Sequence, residues 1–227
     1  LFMRYNGGTS SAGDSSRCIN DGTWHHVAMT CSYDEKSNES TYRMYVDYEL
    51  ELEKTDTGKT RYNNEYGIYV GGYELPGRKF NGAVDELRIS DTALDPDEFL
   101  RRVVPDIVDD DTLVWLSMDG EADDEVTERE VNRIVVLGDK GGFGSKVKLY
   151  RMGDVPSSLF SSDVPALTLR TDRSVPPSDV NTTSFNVQTN GTAGSGSSLR
   201  LPAYPYSSTN LTVEMFFKTA GEIKSGE

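Results

Sequence analysis

The sequence is poor in the residues that build the simplest functional sites. Two cysteines in 227 residues are too few for a small fold held together by disulfides. Two histidines beside them leave too few ligands for a zinc site of the common kind. Positive charge is scarce: 23 Lys and Arg stand against 37 Asp and Glu, a formal net charge of -14. A chain this acidic repels phosphate backbones and anionic membrane surfaces, which argues against nucleic acid as a partner. No apolar run approaches the roughly 18 residues of a spanning helix, so no membrane insertion is expected. Apolar residues make up 36%, low for a globular chain, but aromatics at 10% are too many for a disordered one.

What is present is a series of short alternating runs separated by turn residues. Residues 26–31, 41–53, 67–72 and 83–90 are four of them. In the second, Tyr42, Met44, Val46, Tyr48, Leu50 and Leu52 alternate with Arg43, Tyr45, Asp47, Glu49, Glu51 and Glu53. Period two with aromatic and β-branched residues predicts strands with one buried face. No long helical pattern separates them, so an antiparallel sandwich is expected rather than βαβ units. One short helix is expected from Asp95-Pro96-Asp97-Glu98, an N-cap acid, a first-turn proline and a Glu three residues after the cap, running to about Arg102. Pro105 and the run Asp109-Asp110-Asp111 then read as a linker, and residues 113–118 open a new strand. Residues 171–198, dominated by Ser, Thr, Asn, Gly and Pro, read as a long surface loop. Order resumes at residues 199–202 and 211–218. The chain opens at Leu1 without a signal-peptide pattern and closes at Glu227 just after a strand-like run, so it reads as a piece of something longer.

Five ordered motifs over about 80 residues carry a resemblance. They are Asp21-Gly22-Thr23-Trp24-His25-His26-Val27-Ala28, Tyr42-Arg43-Met44-Tyr45-Val46-Asp47, Tyr69-Val70-Gly71-Gly72, residues 80–90 (Phe-Asn-Gly-Ala-Val-Asp-Glu-Leu-Arg-Ile-Ser) and residues 93–99 (Ala-Leu-Asp-Pro-Asp-Glu-Phe). Together they resemble the laminin-G-like, concanavalin A-like jelly-roll family, in the order in which such a domain ends. Residues 113–120, 198–202 and 211–218 resemble the way the same family begins. The resemblance therefore implies an all-β antiparallel β-sandwich in three parts. Residues 1–102 would be the C-terminal part of one jelly roll, 103–112 a linker, and 113–227 the N-terminal part of a second. Neither part can close a sandwich alone, because each leaves edges and an apolar face uncovered. The two are complementary, and the chain is expected to close on itself as a circular permutant of one domain. The family usually has Asp-Gly where this chain has Asp47-Tyr48. Alternation alone reads residues 41–53 as one strand, and a Tyr where Gly supplies positive φ leaves the turn wider, shifted or missing.

Several residues are candidates for chemistry. By parity Asp85 shares a face with Ala83, Leu87 and Ile89, and an unpaired charge there is expensive. It either accepts hydrogen bonds from backbone amides, Trp24 or His26, or helps to hold a calcium ion with backbone carbonyls and a second acid, for which Asp119 is the natural choice. Glu86 and Arg88 then face outward as a solvated ion pair. Glu49, Glu51 and Glu53 share a face and read as a charged edge that discourages strand addition. The alternating acids of the glycoside hydrolases on this fold, Glu-x-Asp-x-x-Glu, are missing. His25 and His26 lack a nucleophile in an elbow context and read as framework on opposite faces. Cys18 and Cys31 flank Trp24 and either form a disulfide or remain two buried thiols. Gly141-Gly142-Phe143-Gly144 lacks the Lys-Ser/Thr of a phosphate loop and reads as a turn. Tyr45 and Phe216 are candidate ligand-facing rings. Asn38, Asn181, Asn190 and Asn210 stand in Asn-x-Ser/Thr patterns.

The resemblance implies a non-catalytic recognition module, extracellular or at the cell surface, with calcium as the conceivable cofactor and a glycan or an extracellular protein as partner. Carbohydrate binding in an adhesin or beside a polysaccharide-active enzyme is the first reading. A structural or protein-binding repeat without sugar affinity is the second. A fragment of a jelly-roll glycoside hydrolase is the third. No ligand-binding residue is assigned, because ligand loops vary most in such folds.

Overall fold

A computed structural model describes residues 2–5, 10–60, 68–71, 80–100, 111–116, 118, 128–130, 134–135, 148–152, 160–165, 183–187, 196–201 and 209–221. Among these the secondary structure is β throughout. The strands are β1 (Phe2–Tyr5), β2 (Ser10–Asp14), β3 (Trp24–Asp34), β4 (Glu39–Val46), β5 (Glu49–Thr57), β6 (Ile68–Val70), β7 (Gly82–Ser90), β8 (Thr112–Leu116), β9 (Glu128–Glu130), β10 (Ile134–Val135), β11 (Lys148–Met152), β12 (Phe160–Ser161), β13 (Ser184–Val187), β14 (Gly196–Leu201) and β15 (Leu211–Thr219). The large sheet runs β10-β8-β7-β15-β3-β4-β5, with β13 also paired to β7 and β12 to β13. A second sheet runs β6-β14-β11-β9, and β1 and β2 form a hairpin. All pairings are antiparallel. The architecture is the all-β antiparallel sandwich that the strand pattern implied, of the jelly-roll kind that the resemblance implied.

The strand order answers the question of closure. β15 lies between β3 and β7, and β8 extends the same sheet on the far side of β7. Strands from beyond residue 111 thus sit inside and beside the sheet built by residues 1–100. One face of this sheet is apolar. Val213 stands opposite Ile89 and Met29, Met215 opposite Val27, and Phe217 opposite Val84. Directly opposed residues share a face, so these side chains form one layer with Met44 and Val46. Met44, Val46, Leu87 and Ile89 in that layer are each at most 1% exposed.

Three local expectations are corrected. Residues 41–53 are two strands joined at Asp47-Tyr48, with Val46 paired to Glu49. Both turn residues have positive φ, 49° and 71°, as a two-residue type I′ hairpin requires. Tyr48 takes the strained position because its hydroxyl donates to the Leu100 carbonyl at 2.9 Å and its ring stacks on His26 at 4.5 Å. The helix expected from Asp95 is a single turn. Glu98 N donates to the Asp95 carbonyl and Glu98 Oε2 accepts from Asp95 N, but the chain then leaves the helical path. Leu94, Phe99 and Leu100 are buried against the sheet, and Leu100 N bonds to Glu214 rather than to a helical carbonyl. Arg101, Arg102 and the linker to residue 110 lie outside the described residues, and residue 112 already belongs to β8. The presumed loop at 171–198 contains β13, whose Phe185 and Val187 are fully buried. Four residues suffice there because β13 adds to an existing strand, β7, through Phe185↔Val84 and Val187↔Gly82.

Candidate functional site

The face of the large sheet opposite the apolar layer is polar and partly covered. A bulge in β7 adds Asp85 to it. Arg88 pairs with Glu214 and Asp85 with Phe216, so two residues, Glu86 and Leu87, oppose Met215 alone. Glu86 takes φ 51° at this bulge. The extra residue shifts the parity: Leu87 and Ile89 keep the core face, while Asp85 moves to the face of Phe216 and Arg88. Asp85 is therefore not on the apolar face as strict alternation predicted. Its Oδ1 accepts from Glu86 N at 3.0 Å, and Asp85 is wholly buried. Glu86 and Arg88, expected outside, are 2% and 5% exposed; Arg88 is covered by the turn before Leu100, where its Nη2 donates to the Glu98 carbonyl at 2.6 Å.

At the centre of this face Glu214 is 0% exposed. Its Oε1 accepts from Arg88 Nε at 2.6 Å and pairs with Arg88 Nη2 at 2.5 Å; its Oε2 accepts from His26 Nε2 and from Leu100 N at 2.9 and 2.8 Å. A carboxylate with these partners only accepts, so His26 carries its proton on Nε2. His26 Nδ1 is buried and finds no hydrogen-bond partner among the described residues. Tyr48, Phe99 and Phe216 surround the His26 ring. With the ring 2% exposed and Glu214 fully buried, this is a closed centre among the described residues.

Two open clusters lie where the same strands reach the surface. In the first, Trp24 and Lys218 are opposed across β3 and β15. Asp163 bridges them, accepting from Trp24 Nε1 at 3.0 Å and from Lys218 Nζ at 2.6 Å. The Lys218 ammonium holds the Asp163 carboxyl below its ordinary value, burial opposes this, and the indole N–H adds to the lowering. Asp163 is positioned by its backbone: its amide bonds to Ser161 Oγ and its carbonyl accepts from Ser184 Oγ at 2.7 Å. In the second cluster His25 lies between Asp47 Oδ2 at 2.9 Å and Asp21 Oδ1 at 3.1 Å. Burial pulls the imidazole pKa down, but its bonds to Asp47 and Asp21 and their charges raise it overall. Asp21 is lowered to about 2, chiefly by the amide and hydroxyl of Thr23 and then by His25. Arg17 joins this cluster to the edge strand through Asp47, Glu49 and Glu51.

Residues 1–99 match a laminin-G family model described as the concanavalin A-like lectin/glucanases superfamily. No curated protein and no solved structure gives a match. The lectin/glucanase region contains β1 to β7 and the covering turn, and ends before β15, which fills the gap between its β3 and β7.

His25 and His26 lie on opposite faces, as their parity implied. Glu49, Glu51 and Glu53 lie on β5, an edge of the sheet, but they do not share a face as alternation predicted: a bulge opposite Met44 and Tyr45 puts Glu49 on the face of Val46 and Glu53 on that of Arg43. Tyr45 is 6% exposed against Ala28, Leu94 and Phe99, and Phe216 is 3% exposed against His26, so neither faces a ligand. Both are buried because the covering turn makes their face a second interior. Cys18 and Cys31 are free, one exposed and one buried, so the disulfide is not formed. Cys18 donates to Asn20 Oδ1, whereas Cys31 contacts Thr60 Oγ1. Asp119, Asn181, Asn190 and the turn at residues 141–144 lie outside the described residues. Among the described residues no group of three or more His, Cys, Asp or Glu is placed to hold a metal. No described helix is long and apolar enough to cross a membrane. Glu214 went unmarked in the sequence, although a lone acid inside Leu211-Thr212-Val213-Glu214-Met215-Phe216-Phe217 is a signal for a buried pair. Asp163 carries no such signal.

Proposed function

We propose that the chain is a non-catalytic recognition module that binds a glycan, outside the cell or at its surface, within an adhesin or beside a polysaccharide-active enzyme. The observation that carries this reading is the Trp24–Asp163–Lys218 cluster. A half-buried indole offers an apolar plate for a sugar ring, and a fixed carboxylate and ammonium beside it offer an acceptor and donors for hydroxyls. The non-catalytic part rests on the acids. Glu214, Asp85 and Glu86 are at most 2% exposed, whereas hydrolysis needs two carboxylates that flank an accessible bond.

The second reading is a structural or protein-binding repeat without sugar affinity. It is favoured by the insertion of β15, which devotes the centre of the sheet to holding the chain together. A glycan array on the whole chain, followed by calorimetry with the best sugar, separates the two. The first reading expects binding that falls at least about tenfold in Trp24→Ala, with no turnover of the polysaccharide. Binding unaffected by Trp24→Ala, or no binding at all, overturns it.

A further inference from the structure

β15 is held as a ligand is held. It pairs with β3 over Leu211–Lys218 and with β7 over Thr212–Thr219, while β3 and β7 do not pair with each other. The side chains that fix its register also divide cleanly. The strand contributes Thr212 and Glu214. The acceptor contributes His26, Arg88 and the Leu100 amide for Glu214, together with the Leu94 amide and Thr92 carbonyl, which bond to Thr212 Oγ1 at 2.9 and 2.7 Å. Every acceptor group lies within residues 1–100 and every donor-strand group within 211–219. More than a hundred residues separate the two parts, so chain connection supplies only an effective concentration.

We infer that the cleft between β3 and β7 is a strand-binding surface whose partner is residues 211–219 of a second copy of this chain, exchanged reciprocally. The selectivity lies in the carboxylate pocket. Glu214 is the one acid in residues 211–219, so a strand in any other register brings no carboxylate to the Arg88 guanidinium, and only a strand with an acid at the position of Glu214 seats. An identical strand from a second copy meets every contact of the native one. Exchange then depends on concentration alone, and is favoured where copies are held close together. This goes beyond glycan recognition and does not depend on it.

The experiment uses two full-length chains, both carrying Cys18→Ser and Cys31→Ser. One carries Met29→Cys and the other Val213→Cys, positions directly opposed in the β3–β15 ladder. Neither chain can form this bond internally. Unfolded together at high concentration, refolded and oxidised, they are expected to yield a covalent heterodimer. Its yield should fall about a hundredfold when Glu214→Lys is added to the Val213→Cys chain. Refolded chains without a heterodimer, or a heterodimer whose yield survives Glu214→Lys, overturn the inference. Wild-type chains in light and heavy isotope forms, refolded together, provide the parallel readout. Mixed dimers in native mass spectra support exchange, and only monomers refute it.

Discussion

Replacing Glu214 by Ala tests the physical core of this account. The carboxylate is wholly buried and takes bonds from Arg88 at 2.6 and 2.5 Å, from His26 at 2.9 Å and from Leu100 N at 2.8 Å. Its removal leaves a guanidinium that is 5% exposed without its counter-charge. Breaking a buried pair from one side costs about 3–5 kcal/mol. An orphaned buried amide alone costs about 1–3 kcal/mol, and the two are not additive because one cavity serves both. About 4 kcal/mol is therefore expected, a large share of the roughly 5–15 kcal/mol that stabilises an ordinary domain. Urea unfolding read by tryptophan fluorescence measures it as a drop in midpoint at constant slope. The double variant Glu214→Leu with Arg88→Met removes both charges and keeps the volume, so it should recover most of the loss. A Glu214→Ala cost under about 1 kcal/mol, or a double variant as weak as the sum of the singles, would refute a sequestered charge pair.

Other outcomes follow from single contacts. Tyr48→Phe keeps the ring on His26 but loses the bond to the Leu100 carbonyl, and should lower stability by about 0.5–1.5 kcal/mol in the same urea assay. Gly82→Ala would bring a Cβ to 2.0 Å from the Lys218 carbonyl oxygen at φ 155°, and should cost about 1–3 kcal/mol or block folding, read as a lower Tm. His25 has a folded pKa raised above 6.5, so the stability it contributes is complete below that value and is lost as pH climbs through the raised one. Stability measured from pH 5 to 8 should therefore decline with pH on this account, and Asp47→Asn should flatten the decline.

The sequence carried the fold well where periodicity was undisturbed. Residues 26–31 and 211–218 alternate or run apolar, and both are central strands. It carried the buried centre poorly, for a physical reason. Parity arguments assume a regular ladder, and one extra residue at Glu86–Leu87 exchanged the faces of everything before it on β7. That single bulge turned Asp85 from a charge on the apolar face into a member of the polar one, whereas Arg88 kept its predicted face and is buried because the turn that carries Glu98 and Leu100 covers it. The turn at Asp47-Tyr48 was equally hidden, because the compensation for positive φ at a tyrosine comes from Leu100 and His26, distant in sequence. β13 was masked by composition: Ser184 and Asn186 lie in a polar stretch, yet Phe185 and Val187 need only an existing strand to pair with.

The two proposals meet at Lys218. It lies on β15, four residues from Glu214, and it holds Asp163 beside Trp24. Trp24 comes from the lectin/glucanase region, whereas Asp163 and Lys218 come from beyond it. The open cluster therefore exists only when β15 is seated between β3 and β7. Linkage then requires that a sugar bound at Trp24 stabilise the seated strand by RT ln(1 + [L]/Kd), about 2.7 kcal/mol at a hundredfold excess over Kd. The reciprocal follows: a substitution that unseats β15 without touching the cluster, such as Glu214→Ala, should weaken sugar binding by the fraction of chains left open. If sugar affinity per folded molecule stayed constant while saturating sugar failed to raise the urea midpoint, the site would have to lie on residues that β15 does not organise.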